Sequence, residues 1–206
     1  MRVVLQGFGP FGRFQVNPSE RLVRDVAESP PPGAEVVPLV LRTADAEVER
    51  VPAFMAEWVP DVWIGVGLAD GRHRVAVERV AINVADYRIG DVDGVERHAE
   101  PIVPGGPVGY WSTLPLDRIA DAWRAADIPG YVSNSAGTYL CNRSFYVARH
   151  AAERLGVGRT GFIHVPAMVE QVSGAAPAWP YALLRHALAV AVAAAADPAP
   201  SGAATP

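Results

Sequence analysis

The chain has 206 residues, half of them hydrophobic, which suits one sizeable core and leaves little material for a second domain. Its 22 acidic and 18 basic side chains are mixed along the chain to a net charge of -4, so there is no basic stripe to track a phosphate backbone and no nucleic-acid partner is expected. The longest apolar tract, residues 187–196, is Ala-rich and too short for a bilayer, and residues 1–12 lack the pattern of a secretory leader; the expectation is a soluble, cytoplasmic protein with no membrane partner.

Short β-branched runs alternate with amphipathic stretches. A first strand over 2–6 leads into Gly7-Phe8-Gly9-Pro10-Phe11-Gly12. A helix over 18–27 follows, with Asn17 as N-cap, Pro18 at its first position and Glu20 as capping-box partner. Next come a strand over 35–41, a helix over 43–58, and strands over 61–67 and 75–84. Residues 85–112 are rich in Gly, Pro, Asp and Glu and read as a long irregular stretch of the kind that carries function. A helix over 116–126, a strand over 130–133, a helix from about Cys141 to Leu155, a strand over 160–165 and a helix over 181–196 complete the pattern. It predicts an α/β fold: a three-layer α/β/α sandwich around a mixed, largely parallel twisted sheet, forming one domain over 1–196 with a disordered tail over 197–206.

The glycines at 7, 9 and 12 satisfy the spacing of a dinucleotide fingerprint, but the helix signal comes only at Asn17 and Pro18, and Pro10 removes a backbone donor from the turn. The acidic residue that binds a ribose is also missing, because Arg42 and Thr43 follow the second strand. Phe8 and Phe11 point instead to an apolar loop at the carboxyl end of a strand, or to rings that plug the core beneath it.

A single cysteine, Cys141, cannot form an intrachain disulfide, and no Cys/His cluster has metal-ligand spacing; neither a metal nor another cofactor is expected. Cys141 follows a polar small-residue loop at the start of a helix, where unpaired N–H groups and the helix dipole favour a thiolate and offer an oxyanion site; a buried apolar thiol is the alternative. Of five histidines, His164 is best placed, at the end of the strand Gly161-Phe162-Ile163-His164-Val165, although a core histidine bonded to a carbonyl has the same signature. Glu78 lies in an apolar strand, where a carboxylate needs a partner: an imidazole to orient, or an arginine on a neighbouring strand. Asn142-Arg143-Ser144 is a glycosylation sequon read as accidental.

Six separated motifs together resemble the pyroglutamyl peptidase I (pyrrolidone-carboxylate peptidase) family of cysteine peptidases. They are residues 7–12 with Val16-Asn17-Pro18-Ser19; Pro60-Asp61 with Gly65-Val66-Gly67; Glu78-Arg79-Val80-Ala81-Ile82-Asn83; Gly105-Gly106-Pro107 with Tyr110-Trp111 and Leu114-Pro115; Ser135-Ala136-Gly137-Thr138-Tyr139-Leu140-Cys141-Asn142; and Gly161-Phe162-Ile163-His164-Val165-Pro166. The resemblance implies a Glu78/Cys141/His164 triad, with Arg88 beside the acyl-transfer centre. It implies that Phe8 and Phe11 flank a pyroglutamyl ring contacted by Asn17, and that Ile89, Tyr139 and Leu140 line the small pocket. Leu68 stands in that pocket where bacterial members often place Gln, and Arg13 replaces a frequent Gly.

The implied activity is a cysteine omega-exopeptidase that hydrolyses the bond after an N-terminal pyroglutamyl residue through a thioester, acting on pyroglutamyl peptides as a homotetramer. Two other readings stand beside it: a non-catalytic homologue that binds such peptides, and a nucleoside-binding hydrolase or phosphorylase of similar architecture.

Overall fold

The computed structural model describes residues 1–198. Six strands form the central sheet: β1 (Arg2–Phe8), β2 (Glu35–Leu41), β3 (Val62–Leu68), β4 (Val75–Glu78), β7 (Gly130–Ser133) and β8 (Arg159–Val165), in the order β2-β1-β3-β8-β4-β7. β2, β1, β3 and β8 run parallel, while β4 and β7 run parallel to each other and against β8. The expected mixed, mostly parallel sheet is therefore present. Its inner strands are buried almost end to end because helices cover both faces.

One face packs against α1 (Pro18–Glu28), α3 (Leu116–Ala125) and α5 (Tyr181–Ala196), through Leu22, Val26, Ile119, Trp123, Leu184 and Leu188. The other face packs against α2 (Arg50–Trp58) and α4 (Leu140–Leu155), through Val51, Met55, Phe145 and Tyr146. Each helix buries a stripe against the sheet, and burial of each large side chain in that stripe contributes about 1.5–3 kcal/mol.

Local chemistry altered four of the predicted elements. The helix expected over 43–58 is a short tight turn over Asp45–Glu49 followed by α2. The strand expected over 75–84 breaks at Arg79, whose N–H donates to the Ser133 carbonyl while its own carbonyl accepts from Ser112. Beyond it, β5 (Val80–Ile82) leaves the main sheet and pairs antiparallel with β6 (Gly109–Trp111), itself inside the stretch read as irregular. Asn17 caps α1 by accepting from the Ser19 N–H at 3.0 Å, but no capping box forms, because Glu20 pairs instead with Arg24 one turn on. Of the tail predicted over 197–206, Asp197 is the C-cap of α5, and residues 199–206 lie outside the described residues. Among the described residues no helix is long and apolar enough to cross a membrane.

The 85–112 stretch is ordered by buried carboxylates. Asp91 accepts from the N–H groups of Asp93 and Val95 and also from that of Asp45. Asp45 in turn accepts from Tyr87 Oη at 2.6 Å and Arg97 Nη2 at 2.9 Å, and lies 3.1 Å from Arg143 Nε on α4. Burial pushes the Asp45 carboxyl up, but the hydrogen bonds from Tyr87 and Arg97 and the charges of Arg143 and Arg97 outweigh it and hold it below the ordinary value. A depressed folded-state pKa gives stability that is present above the unfolded pKa and lost as pH falls through the folded one.

Asp45→Asn is therefore expected to lower stability at neutral pH by about 3–5 kcal/mol, as breaking one side of a buried pair does. In denaturant titrations its deficit relative to wild type should shrink as pH drops below the carboxylate range, and a constant deficit would contradict this account.

Candidate active site

The register of three neighbouring strands puts the reactive groups on one face. Gly67 of β3 lies opposite His164 of β8, and His164 opposite Ala76 of β4. Because alternate residues share a face, Glu78 stands on the same side as Ala76. His164 Nδ1 is 2.7 Å from Glu78 Oε1, with both side chains buried. Burial pushes the Glu78 carboxyl up, but the hydrogen bond from and the charge of His164, the Ser133 hydroxyl and the charge of Arg72 hold it below its ordinary value. A carboxylate only accepts, so Nδ1 donates and Nε2 is the ring nitrogen left to exchange a proton with another group.

Cys141 is the second residue of α4. A Cβ on Gly67 would stand 2.7 Å from Cys141 Sγ and 2.9 Å from the Phe162 ring, so the sulfur rests on backbone that only glycine leaves bare, on the strand beside His164. The adjacent Asn142 is fully buried and fixes this placement: its Nδ2 donates to the carbonyls of Ile82 and Val84, and its Oδ1 accepts from the Ile82 N–H. One amide side chain thus ties the cysteine's helix to the strand that continues from Glu78. With every polar atom of Asn142 so engaged, the sequon at this position is structural.

The helix start does not make a resting thiolate. Burial and the negative charge of Glu78 push the thiol up to about 12, and the charge of Arg72 and the cysteine's own backbone N–H pull only partly the other way. Helix-dipole activation, expected from the sequence, is outweighed because the sulfur is desolvated beside an anion.

Cys141 forms one wall of a pocket of about 110 Å³ lined by Phe8, Phe11, Phe14, Asn17, Thr43, Leu68, Asp70, Tyr139 and Leu140. Every sequence-predicted pocket residue except Ile89 is in this wall. The Phe11 and Tyr139 rings lie 5.3 Å apart, and Tyr139 meets Tyr87 edge-on at 4.8 Å. Phe8 is 2 % exposed, so its ring serves both the core and the pocket. Asn17 donates one Nδ2 hydrogen to the Gly9 carbonyl and keeps the second. Arg13 bridges the pocket mouth, with Nη2 2.7 Å from Asp70 Oδ2 and its guanidinium 5.0 Å above the Phe14 ring. The aromatic loop is thereby strapped to the β3–β4 connection.

Arg88 and Ile89 are exposed and outside the pocket lining. Tyr87 turns inward to Asp45 and Tyr139, which leaves its neighbour Arg88 facing solvent. The guanidinium that touches the buried acid is that of Arg72, a residue the sequence reading did not single out. Its only signal there was a cation close before an apolar strand carrying a carboxylate.

The glycine loop holds no phosphate cradle. The Phe8 N–H donates to Ser19 Oγ, the Gly9 N–H to the Leu41 carbonyl and the Phe11 N–H to the Phe14 carbonyl, so the donors such a cradle needs are already engaged. Gly7 is required for another reason: a Cβ there would come within 2.7 Å of the Ser19 carbonyl at the start of α1.

A family described as pyroglutamyl peptidase matches residues 1–198. The chain belongs to the pyroglutamyl peptidase family. A pyrrolidone-carboxylate peptidase of Pyrococcus furiosus is 41% identical over 177 residues, covering 84% of each chain. One of Streptomyces coelicolor is 43% identical over 198 residues, covering 95% of this chain and 92% of the relative. The crystal structure of the pyrrolidone carboxyl peptidase of Pyrococcus furiosus superposes with a TM-score of 0.91 at 38% identity, covering 95% of this chain and 98% of that one. Family membership removes the nucleoside-binding alternative.

Gly67→Ala tests the seat of the sulfur. The added methyl should displace Cys141 and lower kcat on a pyroglutamyl amide by roughly 100-fold with little change in KM, as misplacement of a reacting atom by about an ångström does. Wild-type kcat in this variant would mean that the sulfur does not depend on that seat.

Proposed function

We propose that this chain is a cysteine omega-peptidase in which Cys141, His164 and Glu78 release an N-terminal pyroglutamyl residue from peptides. The observation that carries the reading is the buried Glu78–His164 pair beside a cysteine that walls a small, aromatic, largely neutral pocket.

Because the resting thiol is protonated at neutral pH, His164 Nε2 takes the Cys141 proton as the sulfur attacks the pyroglutamyl carbonyl carbon. The carbonyl π pair moves onto oxygen, where the unpaired first-turn N–H groups of α4 supply stabilisation. Collapse of this intermediate breaks the C–N bond, and the imidazolium passes its proton to the leaving amine. Water then loses a proton to His164 and attacks the thioester; sulfur leaves and recovers that proton. Glu78 holds Nδ1–H throughout, so the same nitrogen, Nε2, faces the sulfur, the amine and the water in turn.

The pocket accounts for specificity. A neutral lactam gains apolar contact from Phe8, Phe11 and Tyr139 and finds the spare Asn17 Nδ2 hydrogen for its ring carbonyl. An ordinary N-terminus would bring an ammonium group into the same apolar space, where desolvation is unfavourable. Arg88 and Ile89 belong to this proposal as groups on the loop beside Tyr139, outside the resting pocket. A homotetramer, implied by the resemblance, is also part of it, supported by the exposed Val108 and Trp111 beside and on β6, and so is a cytoplasmic location. A solution mass of one 21.9 kDa chain by light scattering would remove the tetramer.

Release of a chromophore from a pyroglutamyl amide should be robust for the wild type and lost in Cys141→Ala, with peptide affinity retained. Binding without turnover in the wild type would identify a non-catalytic homologue instead. Iodoacetamide should abolish turnover in step with modification of Cys141, and free pyroglutamate should slow that modification. Turnover that survives full alkylation would refute the cysteine mechanism.

A further inference from the structure

Glu78 Oε1 serves two donors. His164 Nδ1 approaches it at 2.7 Å and Arg72 Nη1 at 2.8 Å, while Arg72 Nη2 donates to the Ser135 carbonyl at 3.1 Å. Arg72 lies in the β3–β4 connection, and Ser135 in the loop that delivers Cys141 to its helix. One guanidinium therefore joins the acid of the triad to the loop that leads to the nucleophile. From these contacts we infer that Arg72 is a positioning residue of the reaction, holding the orientation and charge of the Glu78–His164 pair and coupling it to the placement of Cys141. The inference rests on the triad reading above and adds to it a fixed cation.

The groups that face Glu78 are few. His164 comes from β8, Arg72 from the connection before β4, Ser133 from β7, and Cys141 from α4. Arg79, next in sequence, is turned away, with Nε donating to Asn134 Oδ1 at 2.8 Å. Arg72 is thus the permanently charged cation of this set, and its planar fork matches one carboxylate oxygen and one carbonyl at once. Both Glu78 and Cys141 are easier to ionise for its presence. The arrangement also constrains geometry: Arg72 and the imidazole share Oε1, so the guanidinium holds the oxygen that the imidazole meets. The Arg72 side chain is 27% exposed, so it closes the site from the solvent side and remains reachable by small solutes.

A fixed positive charge and a structural strut give different signatures. Removing a cation makes every nearby group easier to protonate, so both limbs of the pH profile of kcat/KM must move to higher pH. Loss of a strut lowers the amplitude and leaves the limbs in place. For Arg72→Ala the expected result is a fall in kcat/KM at neutral pH of roughly tenfold or more. The acid limb should shift by about one pH unit toward alkaline, the size of effect an adjacent opposite charge has on a carboxylate. KM should change little, and guanidinium ion at sub-denaturing concentration should partly restore kcat. Arg72→Lys should keep the limbs in place and recover part of kcat, since it retains the charge but not the fork.

The rate of Cys141 alkylation against pH, which needs no substrate, provides a second reading: its midpoint should move to higher pH in Arg72→Ala and stay put in Arg72→Lys. A wild type that alkylates normally but does not cleave pyroglutamyl amides would overturn the proposed function and leave this midpoint shift as the test of Arg72. Unmoved limbs and an unmoved alkylation midpoint in Arg72→Ala would overturn the inference, whether or not activity falls. Should that variant fail to melt cooperatively, Arg72→Met is measured in its place, with the same two outcomes.

Discussion

The site is organised by one buried negative charge. An ionised carboxylate out of contact with water is tolerated only when donors surround it, and Glu78 recruits them from separate parts of the chain: the His164 imidazole from β8, the Arg72 guanidinium from the connection ahead of β4, and the Ser133 hydroxyl from β7. Satisfying that charge pulls these segments into one place. The same bonds that offset desolvation of the acid fix the imidazole on the strand beside the one that seats Cys141, so the stability of the pair and the geometry that the proposed reaction needs share a cause. Leaving the carboxylate without its partners would cost both.

The cysteine is handled in the opposite way. Glu78 Oε1 takes two donors, from His164 and Arg72, whereas Cys141 sits over the bare backbone of Gly67, and burial and the charge of Glu78 push its thiol up to about 12. A protonated sulfur resists adventitious oxidation better than a permanent thiolate, because the thiolate is the reactive form. Proton transfer then belongs to the chemical step itself. The arrangement makes reactivity conditional on a carbonyl being present to accept the sulfur, and the pocket walls decide which carbonyl that is.

Around this centre the fold supplies rigidity where a loop would otherwise be free. The long 85–112 stretch meets Tyr139 through Tyr87 and the Gly90 carbonyl, and carboxylates at Asp45 and Asp91 order it. Tyr87 is the link: its hydroxyl meets Asp45 and its ring meets Tyr139, which lines the pocket. Arg13 and Asp70 close the opposite rim. That exposed pair contributes little to stability, and its significance lies in where it holds the aromatic loop.

The sequence by itself determined the α/β class, the order of its main elements and which cysteine, histidine and glutamate to propose as a triad, because alternating periodicities and short contiguous motifs are local properties of the chain. Gly7 and Gly67 were visible as motif glycines, but what each one makes room for was not. Tertiary structure alone decided that β4 and β7 run against the other four strands, that the strand after Glu78 leaves the sheet at Arg79, and that Asn142 locks the helix of Cys141 to that strand. It also placed Arg72 on the acid and left Arg88 in solvent. An arginine's partner depends on which distant segments share its few ångströms of reach, and a helix dipole is weighed against burial and neighbouring charge only once all three occupy the same space.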